Sequence, residues 1–251
     1  MSLIQLVGRT ALVTGGSRGI GKAVCIALAR AGCNLAIGYQ SNEKAAHQIL
    51  DLVNGMGVKA ILVQGNVAHY SEIKSIVSRT LIEFKRIDIL VNNAGVWELQ
   101  PIGEMEENHW HRLIDTNLKS VIGFCNVVIP HMKTLGKGKI INLSSRVARR
   151  GAVNSVVYTA AKAGIIGLTR SMAYDVGKYN ICVNGVAPGY TETDMTRLFL
   201  NDPNRIGDFL KTIPLGRFGT VEDVANAVLF LASDLSDYIS GETLFLAGGT
   251  I

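Results

Sequence analysis

The most informative segment for the fold is Thr14-Gly15-Gly16-Ser17-Arg18-Gly19-Ile20-Gly21. It follows a short apolar run, Thr10–Val13, and leads directly into a helical pattern. Glycines let the backbone turn tightly and approach a ligand without a Cβ atom in the way. The free N–H groups at the start of a helix, with their partial positive charge, favour a phosphate group. The stretch therefore predicts a strand, a phosphate-binding turn and a helix.

Outward from this turn, apolar runs alternate with helical patterns along the chain. Several runs are apolar at nearly every position, which is typical of strands buried on both faces. The predicted strands are Thr10–Val13, Asn34–Gly38, Lys59–Gln64, Asp88–Asn92, Lys139–Leu143, Ile181–Val186 and Thr243–Ala247. The predicted helices are about Gly19–Ala31, Asn42–Met56, Tyr70–Phe84, Glu106–Met132, Val156–Lys178 and Val221–Ala232. This alternation predicts an α/β fold, a doubly wound (Rossmann) seven-stranded parallel sheet with helices on both faces.

The alternation is not interrupted by a linker, a repeat or a low-complexity segment, so we predict that residues 1–251 form a single domain. Its least regular part is residues 189–214. Long irregular segments in compact domains are often lids or binding loops. We therefore predict that residues 189–214 form a lid over the substrate, with Phe199 and Leu200 on its inner face.

Composition narrows the class of protein. Charged residues make up only 18% of the 251 residues, which argues against disorder. No apolar run reaches the ~20 residues of a membrane helix, and the N-terminus does not resemble a signal peptide, so we expect a cytoplasmic protein without membrane contact. The four cysteines form no CxxC pair and no metal-ligand spacing is present, so we expect free thiols and no metal. The net charge of +5 comes from scattered residues, which favours an anionic cofactor over nucleic acid.

The end of the second strand indicates which nicotinamide cofactor the chain binds. In dinucleotide-binding folds an acidic residue at this place binds the ribose hydroxyls of NAD, whereas the 2′-phosphate of NADP suits arginine and hydroxyl groups. Here the strand ends in Gly38-Tyr39-Gln40-Ser41, with no carboxylate before Glu43. Arg18 lies in the glycine turn, from which it can reach a 2′-phosphate. Both features favour NADP(H).

Four polar residues form a candidate catalytic group. Tyr158 and Lys162 are four residues apart on a predicted helix and so share a face, although such a pair is common by chance. Ser145 follows the predicted strand Lys139–Leu143, and ligands of open α/β sheets bind at the carboxyl ends of strands. Asn117 lies within an apolar helix, where an amide needs a hydrogen-bond partner.

These motifs resemble those of the short-chain dehydrogenase/reductase family over about Gly8 to Gly249. The glycine spacing matches the family's TGxxxGxG motif, Asn92–Gly95 matches its NNAG motif, and Asn117, Ser145, Tyr158 and Lys162 match its catalytic tetrad. The resemblance implies an NADP(H)-dependent oxidoreductase that interconverts a ketone and a secondary alcohol. It implies that the following residues contact the cofactor: Gly15, Ser17, Arg18, Gly19, Ile20, Gly21, Tyr39, Gln40, Ser41, Asn66, Val67, Asn93, Ala94, Gly95, Tyr158, Lys162, Pro188, Gly189, Thr191 and Thr193.

The resemblance also assigns roles to the tetrad. Tyr158 exchanges a proton with the substrate oxygen, Ser145 hydrogen-bonds that oxygen, and Lys162 holds the nicotinamide ribose. Asn117 holds a water that relays protons to Lys162. Because a free tyrosine has a pKa near ~10, we expect the positive charges of Lys162 and of the oxidised nicotinamide to lower the pKa of Tyr158.

Within the family the sequence looks similar to 3-oxoacyl-acyl-carrier-protein reductases, on the runs 187–195 and 216–219 and the glycine-rich ending. This resemblance implies a thioester-linked carbonyl substrate, acyl carrier protein as a candidate partner, and a homotetramer formed through the long fourth and fifth helices and the last strand. Other carbonyl, sugar or steroid dehydrogenases of the family remain alternatives, as does a non-catalytic NADP(H) sensor. Arg146, Arg149 and Arg150 are either a solvated basic loop or a site for a phosphate or carboxylate on the substrate.

Overall fold

Strands and helices alternate along the chain as the sequence predicts. The computed structural model describes residues 4–193, 196 and 203–250. The strands are β1 (Thr10–Val13), β2 (Asn34–Tyr39), β3 (Ala60–Gln64), β4 (Ile89–Asn92), β5 (Gly138–Leu143), β6 (Ile181–Pro188) and β7 (Thr243–Leu246). The helices are α1 (Gly19–Arg30), α2 (Glu43–Asn54), α3 (Tyr70–Phe84), α4 (Glu107–Ile114), α5 (Ser120–Leu135), α6 (Val147–Arg150), α7 (Val156–Val176), α8 (Pro203–Lys211) and α9 (Val221–Ala232).

The described strands form one parallel sheet in the order β3-β2-β1-β4-β5-β6-β7. Val13 at the end of β1 is in register with Ile37 of β2 and with Val91 of β4. The strand order reverses between β1 and β4, which places a crevice for ligands at their carboxyl ends. The predicted fold class, a doubly wound seven-stranded parallel sheet with helices on both faces, is confirmed.

The two faces of the sheet bury separate apolar cores. Ala11 and Val13 of β1 point into one core, which α1, α2 and α9 complete. Leu12 points to the opposite face and joins the core that α3, α5 and α7 complete. Because both faces are covered, the central strands are apolar at nearly every position. In the sequence they are therefore visible as continuous apolar runs and not as alternating apolar and polar residues.

The predicted helix Glu106–Met132 is wrong as a single regular helix. The structure divides it into α4, a π-helical turn at Asp115–Lys119, and α5. A π-helical turn inserts one extra residue into a helix. This change is too small to alter the apolar pattern from which the single helix was predicted. Such turns are frequent at functional sites. The remaining predicted boundaries coincide with the observed ones or differ from them by at most two residues.

The segment 189–214 contains α8, a helix that the sequence analysis did not predict. Phe199 and Leu200, expected on the inner face of a lid, lie outside the described residues. The single domain and the lid therefore stay predictions.

All four cysteines are buried free thiols, and burial raises the pKa of Cys25 and of Cys125 to about 12. Within the part of the chain that the structure describes, no three His, Cys, Asp or Glu side chains are grouped so that they could hold a metal ion. None of the described helices has both the length and the apolar character needed to cross a bilayer.

Candidate active site

The glycine turn after β1 can be formed only with glycine at its critical positions. Gly15 and Gly19 have φ angles of +64° and +52°, in the left-handed region that favours glycine. A Cβ atom on Gly21 would lie 2.1 Å from the carbonyl oxygen of Gly15 and 2.6 Å from Asn93 Nδ2. The first turn of α1 is thereby packed against the glycine turn, and no side chain caps the helix at Arg18. The start of α1 is thus free to bind a phosphate group of a dinucleotide.

Asn93 and Thr14 tie this turn to the end of β4. Asn93 Nδ2 donates to the carbonyl oxygens of Thr14 at 2.9 Å and of Gly15 at 3.1 Å. Thr14 Oγ1 accepts from the backbone N–H groups of Asn93 and Ala94, both at 3.0 Å. Thr14 was not among the predicted site residues, although its place directly after β1 was a usable signal. These bonds fix the two turns that border the crevice.

The ends of β2 and β3 form the other side of this crevice. Gly16 N donates to the carbonyl oxygen of Gly38 at 2.7 Å, which holds the glycine turn against β2. Beyond it, Tyr39 is buried whereas Gln40 and Ser41 are exposed, as is Arg18. The exposed groups near this edge are thus amide, hydroxyl and guanidinium, which suits a phosphate better than a carboxylate would.

Asn66 and Val67, predicted to frame the adenine, follow β3 after Gly65. Asn66 Oδ1 accepts from the backbone N–H of Ala68 at 3.0 Å, and Asn66 N donates to Glu72 at 2.7 Å. The backbone N–H of Asn66, together with His69, holds the pKa of Glu72 below its usual value. The side-chain oxygen of Asn66 therefore stabilises this turn. Val67 is half-buried beside it.

Ser145 and Tyr158 meet where β5 ends and α7 begins. Ser145 lies close enough to the tyrosine hydroxyl to act on its pKa in the lowering direction, but burial of that hydroxyl dominates and raises the pKa of Tyr158 to about 12. Lys162 is buried one turn further along α7, and its Nζ lies 5.6 Å from the centre of the Tyr158 ring. Burial lowers the pKa of Lys162 to about 8.

The expected lowering of the pKa of Tyr158 is therefore wrong for the protein alone. Desolvation of the hydroxyl outweighs the hydrogen bond from Ser145, which acts in the lowering direction. Lys162 does not offset the desolvation, because its Nζ donates to the carbonyl oxygen of Leu143 at 2.8 Å and burial disfavours its own charge. Tyr158 is consequently a neutral hydroxyl at neutral pH.

Asn117 lies in the π-helical turn and is fully buried. Its Nδ2 donates to the carbonyl oxygens of Val96 and Leu113, both at 2.9 Å, and its Oδ1 accepts from Val96 N at 3.2 Å. The amide of Asn117 was expected to need hydrogen-bond partners within its apolar helix, and these partners are backbone groups. A Cβ atom on Gly95 would lie 2.7 Å from Asn117 Oδ1 and 3.6 Å from Lys162 Nζ, so these two side chains meet across Gly95.

Trp97 is a site residue that the sequence analysis missed. Its Nε1 donates to Ser155 Oγ at 3.1 Å, and its ring centre is 6.3 Å from that of Tyr158. The signal was an aromatic residue two positions after the Asn92–Gly95 motif. Trp97 forms an apolar wall beside the tyrosine.

The turn after β6 closes the crevice from the opposite side. Gly189 packs so closely on β7 that a Cβ atom would lie 2.8 Å from the Cα of Ala247. Thr191 is buried and pairs with Gly219 in an isolated parallel bridge. The side chain of Thr193 lies 3.7 Å from the place of a Cβ on Gly19, directly over the glycine turn. The predicted residues from Pro188 to Thr193 are thus next to the predicted phosphate site.

This arrangement is that of a nucleotide-dependent oxidoreductase, and comparison with known proteins gives its family. A family model described as enoyl-(acyl carrier protein) reductase matches residues 15–250. The chain is 44% identical over 246 residues to the 3-oxoacyl-acyl-carrier-protein reductase FabG of Chlamydia pneumoniae, covering 98% of each chain. It is 40% identical over 243 residues to the enzyme of that name from Staphylococcus epidermidis, covering 97% of this chain and 99% of the relative.

Among solved structures, a gluconate 5-dehydrogenase from Burkholderia cenocepacia in complex with NADP and tartrate superimposes with a TM-score of 0.92 at 36% identity, covering 98% of this chain and 96% of the other. The chain belongs to the short-chain dehydrogenase/reductase family, as its motifs predict. It is an oxidoreductase of that family.

The packing of Gly21 gives a test of the phosphate site. We expect Gly21→Ala to lower the free energy of unfolding by about 1–3 kcal/mol, because its Cβ meets backbone that cannot move aside. We also expect it to abolish NADPH binding measured by fluorescence titration. Gly177→Ala is the matched control, since a Cβ atom there has no neighbour within 4 Å. A Gly21→Ala protein that binds NADPH as the wild type does would contradict this account of the turn.

Proposed function

We propose that this chain reduces a 3-oxoacyl thioester to the 3-hydroxyacyl thioester with NADPH. The predictions of an oxidoreductase and of NADP(H) as its cofactor are confirmed by the relatives and by the NADP-bound structure. The substrate is proposed from the relatives, which are named for this reaction at 40–44% identity over nearly the whole chain. The observation that carries the assignment of the proton donor is the protonated Tyr158 beside Ser145.

The residues around the crevice fit NADPH, which supplies the hydride when it is bound. The glycine turn and the start of α1 would hold its pyrophosphate, and Arg18 with Ser41 its 2′-phosphate. Asn93 fixes the turn that would border its ribose. The turn from Pro188 to Thr193 would cover its nicotinamide half, since Thr193 lies over Gly19.

The chain's own residues perform the proton chemistry. The hydroxyl of Tyr158 gives its proton to the substrate oxygen as that oxygen becomes an alkoxide. Ser145 donates a hydrogen bond to the same oxygen and stabilises the developing negative charge. The ammonium group of Lys162 stabilises the tyrosinate that remains, because an opposite charge nearby favours the charged form.

Without cofactor, Tyr158 is in the protonation state that the reduction needs. A tyrosine with a pKa near 12 is almost entirely protonated at neutral pH and is ready to donate. Lys162, with a pKa near 8, is still mostly charged at neutral pH.

The function is tested by following NADPH oxidation at about 340 nm with an acetoacetyl thioester, a β-keto ester, a sugar lactone and a steroid ketone, with NADH run in parallel. We expect turnover of the thioester with NADPH preferred. Tyr158→Phe is expected to lose about 10²–10⁴-fold in kcat, the contribution of a general acid, and to bind NADPH normally.

Each contrary outcome has a distinct meaning. Turnover of another carbonyl only would keep the mechanism and replace the substrate. NADPH binding without any turnover would favour the non-catalytic sensor. A Tyr158→Phe protein with full activity would contradict the assignment of the proton donor.

The raised pKa of Tyr158 is tested by absorbance. We expect the cofactor-free wild type minus Tyr158→Phe to show no tyrosinate band near about 295 nm at any pH below about 10, because burial holds the group neutral. Ordinary exposed tyrosines cancel in the difference. An inflection in this difference below about pH 9 would show that Lys162 outweighs burial and would contradict the raised pKa of Tyr158.

We propose a homotetramer, in the cytoplasm, that accepts substrate from acyl carrier protein. Val121 and Phe124 of α5 and Ile165 of α7 are buried in the chain's own core, so they do not support the tetramer as the sequence analysis supposed. Support comes from exposed apolar side chains on the same helices, Ile122 (46% exposed) and Val156 (47% exposed).

The tetramer is tested by light scattering, which should give the mass of four chains of 27.0 kDa each. A monomer peak would contradict this.

A further inference from the structure

A small cavity next to the active site is lined by two arginines. Its volume is about 180 Å³, and it is lined by Arg146, Arg149, Phe245, Ala247, Gly249 and Thr250. It lies where the loop after β5 meets the segment that follows β7. Arg146 is the residue directly after Ser145, so the cavity is beside the place where the substrate oxygen would bind.

Arg146 is held in place but has an unused hydrogen-bond donor. Its backbone N–H donates to the carbonyl oxygen of Pro188 at 2.9 Å, and its guanidinium stacks 3.8 Å from the centre of the Tyr190 ring. Its Nη1 is buried and has no hydrogen-bond partner. A buried donor without a protein partner can bind an acceptor on a ligand, and stacking of the guanidinium on Tyr190 holds it in place.

The second arginine adds to the positive charge of the cavity. Arg149 lies on α6, with its guanidinium 5.3 Å from the centre of the Phe245 ring. In the described part of the chain, no carboxylate forms an ion pair with Arg146 or Arg149, and none lines the cavity. Arg150 follows on the same helix without lining the cavity. A solvated basic loop would not explain a fixed guanidinium whose Nη1 is buried.

We propose that Arg146 and Arg149 form a binding site for an oxyanion, a carboxylate or phosphate, that the substrate carries away from its reacting carbonyl. Paired guanidinium groups bind such oxyanions through charge-assisted hydrogen bonds. This inference deepens the proposed function and rests on it, because it adds a substituent to the ketone that Tyr158 and Ser145 receive. The aromatic rings of Tyr190 and Phe245 keep the two guanidinium groups oriented when the site is empty.

The test uses two thioesters of equal chain length with NADPH. 3-Oxoadipyl-N-acetylcysteamine ends in a carboxylate, and 3-oxohexanoyl-N-acetylcysteamine ends in a methyl group. We expect Arg149→Gln and Arg146→Gln to lower kcat/KM for the carboxylate roughly tenfold or more, the effect of a lost charge-assisted hydrogen bond. Arg149→Gln should leave the neutral thioester within about twofold, which also reports an intact fold.

Arg150→Gln is the matched control, because it removes the same charge from the next residue but not from the cavity. Because the charge of Arg150 acts on Arg146 only through space, Arg150→Gln should change both values much less than Arg149→Gln changes the value for the carboxylate. Equal effects of Arg149→Gln on the two thioesters, or equal effects of Arg149→Gln and Arg150→Gln on the carboxylate, would overturn the proposal.

A binding experiment separates this site from the proposed function. Titration of inorganic phosphate into the NADP⁺-saturated enzyme should show binding that Arg149→Gln weakens roughly tenfold and Arg150→Gln does not. If neither thioester is reduced, the proposed function fails while this titration still decides the anion site. Phosphate binding that depends on Arg149, without any effect of Arg149→Gln on thioester selectivity, would overturn the assignment to the substrate and indicate a free anion instead.

Discussion

The active site depends on one buried ammonium group. Lys162 Nζ donates to the carbonyl oxygen of Leu143 at 2.8 Å, and Ser144 Oγ donates to the carbonyl oxygen of Lys162 at 2.7 Å. A buried charge without such a partner would cost several kcal/mol, so this reciprocal contact fixes α7 against the end of β5. Tyr158, one turn earlier on α7, is then held beside Ser145. The hydrogen bond made by Lys162 therefore helps to set the position of Tyr158 relative to Ser145.

A chain of buried amides extends this constraint across the sheet. Asn92 of β4 donates to Asn142 of β5 at 2.9 Å, and Asn142 donates to Thr169 of α7 at 2.9 Å. Asn92 and Asn142 are in register, so the bond crosses directly between neighbouring strands. Because a buried amide is stabilised by such partners, these bonds help to fix the placement of α7 on the sheet. The glycine turn, tied to the end of β4 through Asn93, is thereby placed relative to Tyr158.

Sequence alone predicted most of this arrangement, and the failures have a common physical origin. The parallel seven-stranded sheet and the carboxyl-edge location of Ser145 follow from apolar runs and from the rules of parallel sheets, which are local or topological. The π-helical turn at Asn117 and the wall formed by Trp97 depend on contacts between distant segments, as does the stacking of Arg146 on Tyr190. No periodicity encodes them. The direction of the pKa shift of Tyr158 failed for the same reason, since burial is a property of the folded chain.

That failure changes how the pair of Tyr158 and Lys162 is understood. A lysine four residues away suggests a base made by lowering the tyrosine pKa, but desolvation acts on both groups and favours their neutral forms. The tyrosine therefore remains an acid until charge develops on the substrate oxygen, and the lysine stabilises the product of the transfer. Desolvation also strengthens the hydrogen bond that Ser145 donates to the substrate oxygen, because electrostatic interactions are screened less where water is excluded. The same burial that keeps Tyr158 protonated thus provides the acid that the substrate oxygen needs during the reduction.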